Sequence, residues 1–166
     1  MPKWELYGRE TFTMEGDPAI PVIVDSWMKG LRDFDVATAY EAMRKSATTP
    51  GAQNRLRPDI DPYVERGYIP LGFYAKDLAG DTSVSHALEY YVADAALSLL
   101  ADSLGKKEDA ALFRKRSLGY RHYYDKEFGT LRPITEEGAF LTPFDPKAGE
   151  NFTAAPGFHE GSAWNY

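Results

Sequence analysis

Two helical stripes separated by one glycine constrain this chain more than any other feature. Val84, Ala87, Leu88, Tyr91, Val92, Ala95, Ala96 and Leu99 recur at the three-and-four spacing of an α-helix. Asp81-Thr82-Ser83 stands before them as a cap, able to accept the free N–H groups of a first turn, and Gly105 follows as a stop. From Lys107-Glu108-Asp109 the pattern resumes, with Ala111, Leu112, Leu118, Tyr123 and Tyr120 on the face expected to be buried. The spacing predicts helices over 83–104 and 107–126. Two helices of about 20 residues joined by so short a turn form an antiparallel pair. The chain is therefore read as mainly α.

The same logic applies upstream. Asp17-Pro18 is a helix-start signal, followed by Ile20, Ile23, Val24, Trp27, Met28 and Leu31 at helical spacing, with Gly30 near the stop. Asp35 caps a second helix that buries Val36, Ala39, Tyr40 and Met43 and ends at Thr48-Thr49-Pro50-Gly51. Residues 1–16 read as loop with a short strand. Proline and glycine crowd the stretch from Pro50 to Gly72, leaving room for one short helix near Pro62 to Arg66. Beyond Phe128 they crowd again, interleaved with Phe140, Phe144, Phe152, Phe158 and Trp164; Leu131 and Phe140-Leu141 read as strands of a hairpin. Loops longer than about 12 to 15 residues in a compact domain are functional or disordered. Aromatic content opposes disorder, so a site built from loops on a helical scaffold is the better reading.

Composition narrows the function. The 166 residues make one ordinary domain, enough to bury roughly 70% of the unfolded surface. With 9 Phe, 11 Tyr and 3 Trp the chain is rich in aromatics. A net charge of −6 argues against a nucleic-acid or anionic-membrane partner, which would require excess Lys and Arg. No apolar run approaches the roughly 18 residues that span a bilayer. Absence of cysteine removes disulfides, thiolate catalysis and Cys-based zinc, while leaving the compartment open. Met1-Pro2-Lys3-Trp4-Glu5 lacks the basic-then-apolar pattern of a signal peptide. Phosphate-binding glycine loops, the GxSxG elbow, HExxH and EF-hand spacings are absent from the sequence, so no metal site complete within the chain is expected.

Among the ionisable residues, His86 reads as surface or cap polarity and His122 as a packing or solvent residue. Asp59, Asp61 and Glu136-Glu137 read as solvated loop charges. Glu160 stands apart. It lies in Phe158-His159-Glu160-Gly161-Ser162-Ala163-Trp164-Asn165-Tyr166, a glycine-flanked aromatic loop. A carboxylic acid among such rings is partly desolvated, which raises its pKa and keeps the proton that a general acid needs. Aromatic faces also suit the C–H surfaces of sugars, so a carbohydrate site is plausible from composition alone.

An ordered set of stretches then resembles a known family. They are Pro2-Lys3-Trp4-Glu5-Leu6-Tyr7-Gly8-Arg9-Glu10-Thr11 with Met14, Pro21-Val22-Ile23-Val24-Asp25 through Lys29-Gly30, and Phe34-Asp35. Tyr40-Glu41-Ala42-Met43, Gly67-Tyr68-Ile69-Pro70, Ser83-Val84-Ser85 and Leu88-Glu89-Tyr90 follow. Leu131-Arg132-Pro133, Phe144-Asp145-Pro146 and Glu160 to Tyr166 complete the set. Together they resemble glycoside hydrolase family 92, the calcium-dependent exo-acting α-mannosidases. The family pattern at the end is Glu-Gly-Asn-x-Trp-Gln-Tyr; here Ser162 replaces Asn and Asn165 replaces Gln.

The resemblance implies that residues 1–166 are a single segment of an (α/α)6 toroid, incomplete at both ends and built from antiparallel helix pairs with long aromatic Gly/Pro-rich loops. Glu160 would be the general acid of an inverting exo-α-mannosidase acting on N-glycan α-mannosides. The base, the calcium ligands and an N-terminal β-sandwich sharing the active site would belong to the remainder of the same enzyme. Trp4 and Glu10 would line or support the sugar site, a core tryptophan and a loop carboxylate being the alternative. Trp164, read as packing beneath the acid in preference to stacking on sugar, completes the candidate substrate-binding residues. Two other readings compete: a calcium-independent (α/α)6 glycosidase of the trehalase or glucoamylase type, and a non-catalytic helical module that binds glycans or protein.

Overall fold

A computed structural model describes residues 5–10, 15–73, 81–149, 156–159 and 161–166, with residues 5, 6, 9 and 10 described by their backbone alone. The chain divides into two compact units, Met1–Asp61 with Glu89–Leu118, and Pro62–Leu88 with Gly119–Tyr166.

The first unit opens with a two-residue hairpin, β1 (Glu5–Leu6) antiparallel to β2 (Arg9–Glu10). Tyr7 and Gly8 both take positive φ at its turn, the conformation that matches the twist of paired strands. Helices α1 (Ala19–Met28) and α2 (Val36–Thr48) follow, and Asp35 caps α2 by accepting the Thr38 N–H at 3.1 Å. After α3 (Ile60–Arg66) comes α4 (Ser83–Ser103), whose later turns return to this unit, and then α5 (Lys107–Ser117). Gly105, at φ 75°, turns α4 into α5: its N–H reaches the Asp102 carbonyl at 3.0 Å and the Lys106 N–H reaches that of Ala101 at 2.8 Å. This pair of bonds is the Schellman stop that the glycine announced. Ile20 and Val24 of α1, Tyr40, Met43 and Ala47 of α2, Ala93, Leu97, Leu100 and Ala101 of α4 and Phe113 of α5 form one buried core. No described helix is long and apolar enough to cross a membrane.

Several expectations are corrected. Helix α5 ends at Ser117 instead of 126, and it buries Phe113 and Ser117 while Ala111 and Leu112 are exposed. The run Tyr120-Arg121-His122-Tyr123-Tyr124 leaves the helix because it is spent elsewhere: Gly119–His122 forms a 3-10 turn and Tyr124 enters a strand. Val92 and Leu99, seven residues apart on α4, are exposed and not part of its buried face. His86 is buried in the first turn of α4, so it is not surface polarity.

Asp17 does not cap α1 with its side chain, and Asp59 is fully buried, not solvated. Both belong to a polar cluster inside the first unit. Arg57, itself fully buried, lies 2.8 Å from Asp94 and 3.6 Å from Asp17, with its guanidinium 4.8 Å from the Tyr90 ring centre. Tyr90 donates to Asp59 at 2.6 Å, and Ser46 donates to Asp17. Burial, with the adjacent Asp59 charge, pushes the Tyr90 phenol well above its ordinary range. The guanidinium occupies the place that a cation would take among these carboxylates. It satisfies charges that burial would otherwise make costly.

The second unit is organised around Arg132. Strand β3 (Tyr124–Asp125) pairs antiparallel with β4 (Thr130–Leu131), and Ile134 bridges to Phe140 in a second turn-back. Leu131 therefore pairs with Tyr124, not with the Phe140 strand expected from sequence. Arg132 donates to Asp125 at 2.8 Å, to the Leu141 carbonyl at 2.8 Å and to Thr142 at 2.6 Å, with the Phe128, Phe140 and Phe144 rings around it. Tyr123 turns inward, and its hydroxyl engages both the N–H and the C=O of Ile69 at 2.8 Å. Glu136, read as a solvated loop charge, is exposed and pairs with Arg66 at 2.8 Å on the surface.

Candidate active site

The segment carrying the candidate acid is built on the first turn of α4. A helix start leaves N–H groups without intrahelical partners. Here Asp81 accepts the Ser83 N–H at 3.0 Å, and the Gly157 carbonyl accepts those of Val84 at 2.9 Å and Ser85 at 3.1 Å. The Gly157 N–H returns the contact by donating to the Asp81 carbonyl at 2.9 Å. Only glycine fits there: φ is +88°, and a Cβ would stand 3.0 Å from both Pro133 Cγ and Val84 Cγ2. Phe158 is then buried, with its ring centre 5.4 Å from that of Tyr166.

His159 is held at both ends of its backbone. Its N–H donates to Ser85 Oγ at 2.9 Å, and its carbonyl accepts from the Tyr166 hydroxyl at 3.1 Å. The two hydroxyls of Ser85 and Tyr166 are 3.2 Å apart. Beyond Gly161, the Ser162 N–H and Oγ meet Asn165 Oδ1 at 3.1 and 2.8 Å across the 3-10 turn Ala163–Asn165. The two positions that depart from the family pattern are thus direct hydrogen-bond partners, and a change at one bears on the other.

Trp164 is 66% exposed, anchored through its N–H to the Pro146 carbonyl at 2.9 Å, with Lys147 Nζ 5.2 Å from its ring centre. With Tyr166, Tyr120, Tyr124, Leu88 and Leu131 it lines a groove of about 470 Å³ inside the second unit. Such a wall of rings can take up an apolar or sugar face. Glu160 and Trp4 lie outside the described residues, and Glu10 is described only as a backbone position of β2, opposite Glu5. Sequence reasoning missed the joint role of Ser85 and Tyr166. Both stand in stretches of the family resemblance, yet no local spacing brings residue 85 beside residue 166. Among the described residues no three His, Asp or Glu side chains come together to hold a metal ion.

Over residues 1–166 the chain matches the glycosyl hydrolase family 92 catalytic domain. It belongs to glycoside hydrolase family 92. Solved structures agree with that placement. A family 92 inverting mannosidase from Bacteroides thetaiotaomicron is similar at TM-score 0.82 and 29% identity, over 99% of this chain and 21% of that one. A family 92 α-mannosidase from the same organism, in complex with mannoimidazole, is similar at TM-score 0.83 and 31% identity, over 100% and 21%. A further structure of that mannosidase gives TM-score 0.81 and 33% identity, over 98% and 20%. No match is found among curated protein sequences. The family 92 chain spans about a fifth of the length of these solved relatives, and its helices take up part of the (α/α)6 fold of their catalytic domain.

Proposed function

We propose that this chain supplies the general acid, Glu160, of an inverting exo-α-mannosidase that removes mannose from N-glycan α-mannosides. The observation that carries the reading is the match to the family 92 catalytic domain over residues 1–166, with Glu160-Gly161 and Trp164 retained in the terminal pattern. The backbone on both sides of Glu160 supports it: Gly157 to His159 is bonded to the first turn of α4, and Ser162 to Asn165 closes on itself. A proton donor must be held in one place, and a segment with its backbone donors and acceptors engaged provides that.

In the reaction proposed, the Glu160 carboxylic acid gives its proton to the glycosidic oxygen as the C–O bond to mannose breaks. A second carboxylate, in the remainder of the enzyme, takes a proton from water that attacks the opposite face. The two carboxyl groups stand roughly 6.5 to 9.5 Å apart to admit that water. The N-terminal β-sandwich and the calcium ligands implied by the resemblance belong to the same remainder. The step assigned to this chain is carried by its own acid.

The test is Glu160→Gln in the complete enzyme, which keeps the shape and removes the proton. General-acid catalysis is worth about 10² to 10⁴-fold, and that loss is expected for alkyl mannosides, whose leaving group departs poorly. A dinitrophenyl mannoside needs little protonation and should lose far less, while the alkaline limb of the pH–rate profile flattens. Equal losses on both substrates, with the alkaline limb unchanged, would show that Glu160 is not the acid.

A further inference from the structure

We infer that Ser85 and Tyr166 are positioning residues that fix the proton donor through the backbone of His159. The inference rests on the general-acid reading of Glu160 and adds to it two residues that act through the backbone of His159. Hydrogen bonding leaves one consistent direction around the three groups. The Tyr166 hydroxyl has a single proton and donates it to the His159 carbonyl at 3.1 Å. Ser85 Oγ accepts the His159 N–H at 2.9 Å, so its own proton goes to Tyr166 Oη, 3.2 Å away. The result is a closed ring in which each hydroxyl accepts one hydrogen bond and donates one, an arrangement in which each bond strengthens the next.

The ring has a specific object. It holds the N–H and the C=O of the residue that precedes Glu160, and that C=O belongs to the planar peptide leading into it. Ser85 is itself buried and fixed in the first turn of α4, and its own N–H is bonded to Gly157. Tyr166 is kept over the ring by its contact with buried Phe158, at 5.4 Å between ring centres. Helix α4 therefore sets where the peptide before the acid lies, and the Tyr166 hydroxyl sets which way its carbonyl faces.

The test uses the complete enzyme with Tyr166→Phe, which deletes one oxygen and keeps the ring on Phe158, and with Ser85→Ala as a second variant. A misplacement of about 1 Å costs up to about 10²-fold. The expected result is a loss of roughly 10-fold or more in kcat on an alkyl α-mannoside with little change in KM, and a much smaller loss on dinitrophenyl mannoside. Ser85→Ala should behave alike, and the double variant should lose little beyond either single one, because both break the same ring. In a Glu160→Gln background, Tyr166→Phe should have no further effect on the alkyl substrate. A residue that merely stabilises the fold would lower both substrates equally and would keep its effect in that background. Either of those outcomes overturns the positioning role. Selective loss for Glu160→Gln with unselective loss for Tyr166→Phe rejects the positioning role and keeps the acid, whereas equal losses for Glu160→Gln reject the acid itself.

Discussion

Arg132 and Asp125 show how a single buried charge pair makes stability depend on pH. The Arg132 guanidinium, 2.8 Å away, is the main reason the Asp125 carboxyl is held below the usual carboxylate range, and the N–H groups of Glu127 and Phe128 add to it. A carboxylate with a depressed folded pKa stabilises the fold above its unfolded pKa, near 3.9, and loses that contribution as pH falls through the folded value. Asp125→Asn should therefore lower the melting temperature at pH 7, and the gap from the parent protein should close as pH falls through the depressed folded value. A gap independent of pH would mean the pair acts through shape and not charge. Residues of this kind are poorly legible in sequence. Asp59 sits between Pro58 and Ile60 in a turn-rich stretch and looks like a solvated loop charge. Its buried carboxylate accepts from Tyr90, 31 residues away. Asp17 likewise looks like a helix cap because Pro18 follows it, yet its carboxylate turns to Ser46 and Arg57. Short-range pattern carries no information about a partner 29 to 31 residues distant.

At the scale of elements, helix starts and stops were readable and helix ends in aromatic stretches were not. Asp35, Asp81 and Gly105 act as their local chemistry dictates, because caps and left-handed turns depend on a few adjacent groups. Tyr120 and Tyr123 fall at helical spacing and predict a longer α5, whereas the Tyr123 hydroxyl is claimed by Ile69, 54 residues earlier in the chain. The candidate site shows the same division. The aromatic loop could be named from residue types, but not its seat on the first turn of α4, which depends on Gly157. Gly157→Ala tests that seat. The added methyl meets Pro133 and Val84 at 3.0 Å, and φ +88° costs an alanine roughly 1 to 2 kcal/mol before any contact is counted. The variant is expected to melt several degrees lower and to lose activity on alkyl and dinitrophenyl mannosides together, since the whole segment shifts. An unchanged melting temperature would show that the segment can leave α4 without cost.

At the scale of the molecule, the proposed acid is one half of an inverting site. Inverting hydrolysis needs two carboxyl groups on opposite faces of the sugar, one giving a proton to the leaving oxygen and the other taking one from water. This chain covers about a fifth of the length of its solved relatives, among them an inverting mannosidase, and the second carboxylate is proposed to come from the rest of the enzyme. The stereochemistry of the product then tests the assembled site and not any one residue. Water delivered to the face opposite the departing oxygen converts an α-mannoside into β-mannose. Proton NMR of the complete enzyme with an aryl α-mannoside should therefore show the β-anomeric signal first, with the α signal growing only at the rate of mutarotation. A chelator should stop the reaction, and added calcium should restore it. Activity that survives chelation would favour the toroidal glycosidases that need no calcium and carry both carboxylates among their helices. An α signal that appears first would mean the second carboxylate attacks the sugar itself, from the closer separation of about 5 to 5.5 Å, and the inverting reading would fall.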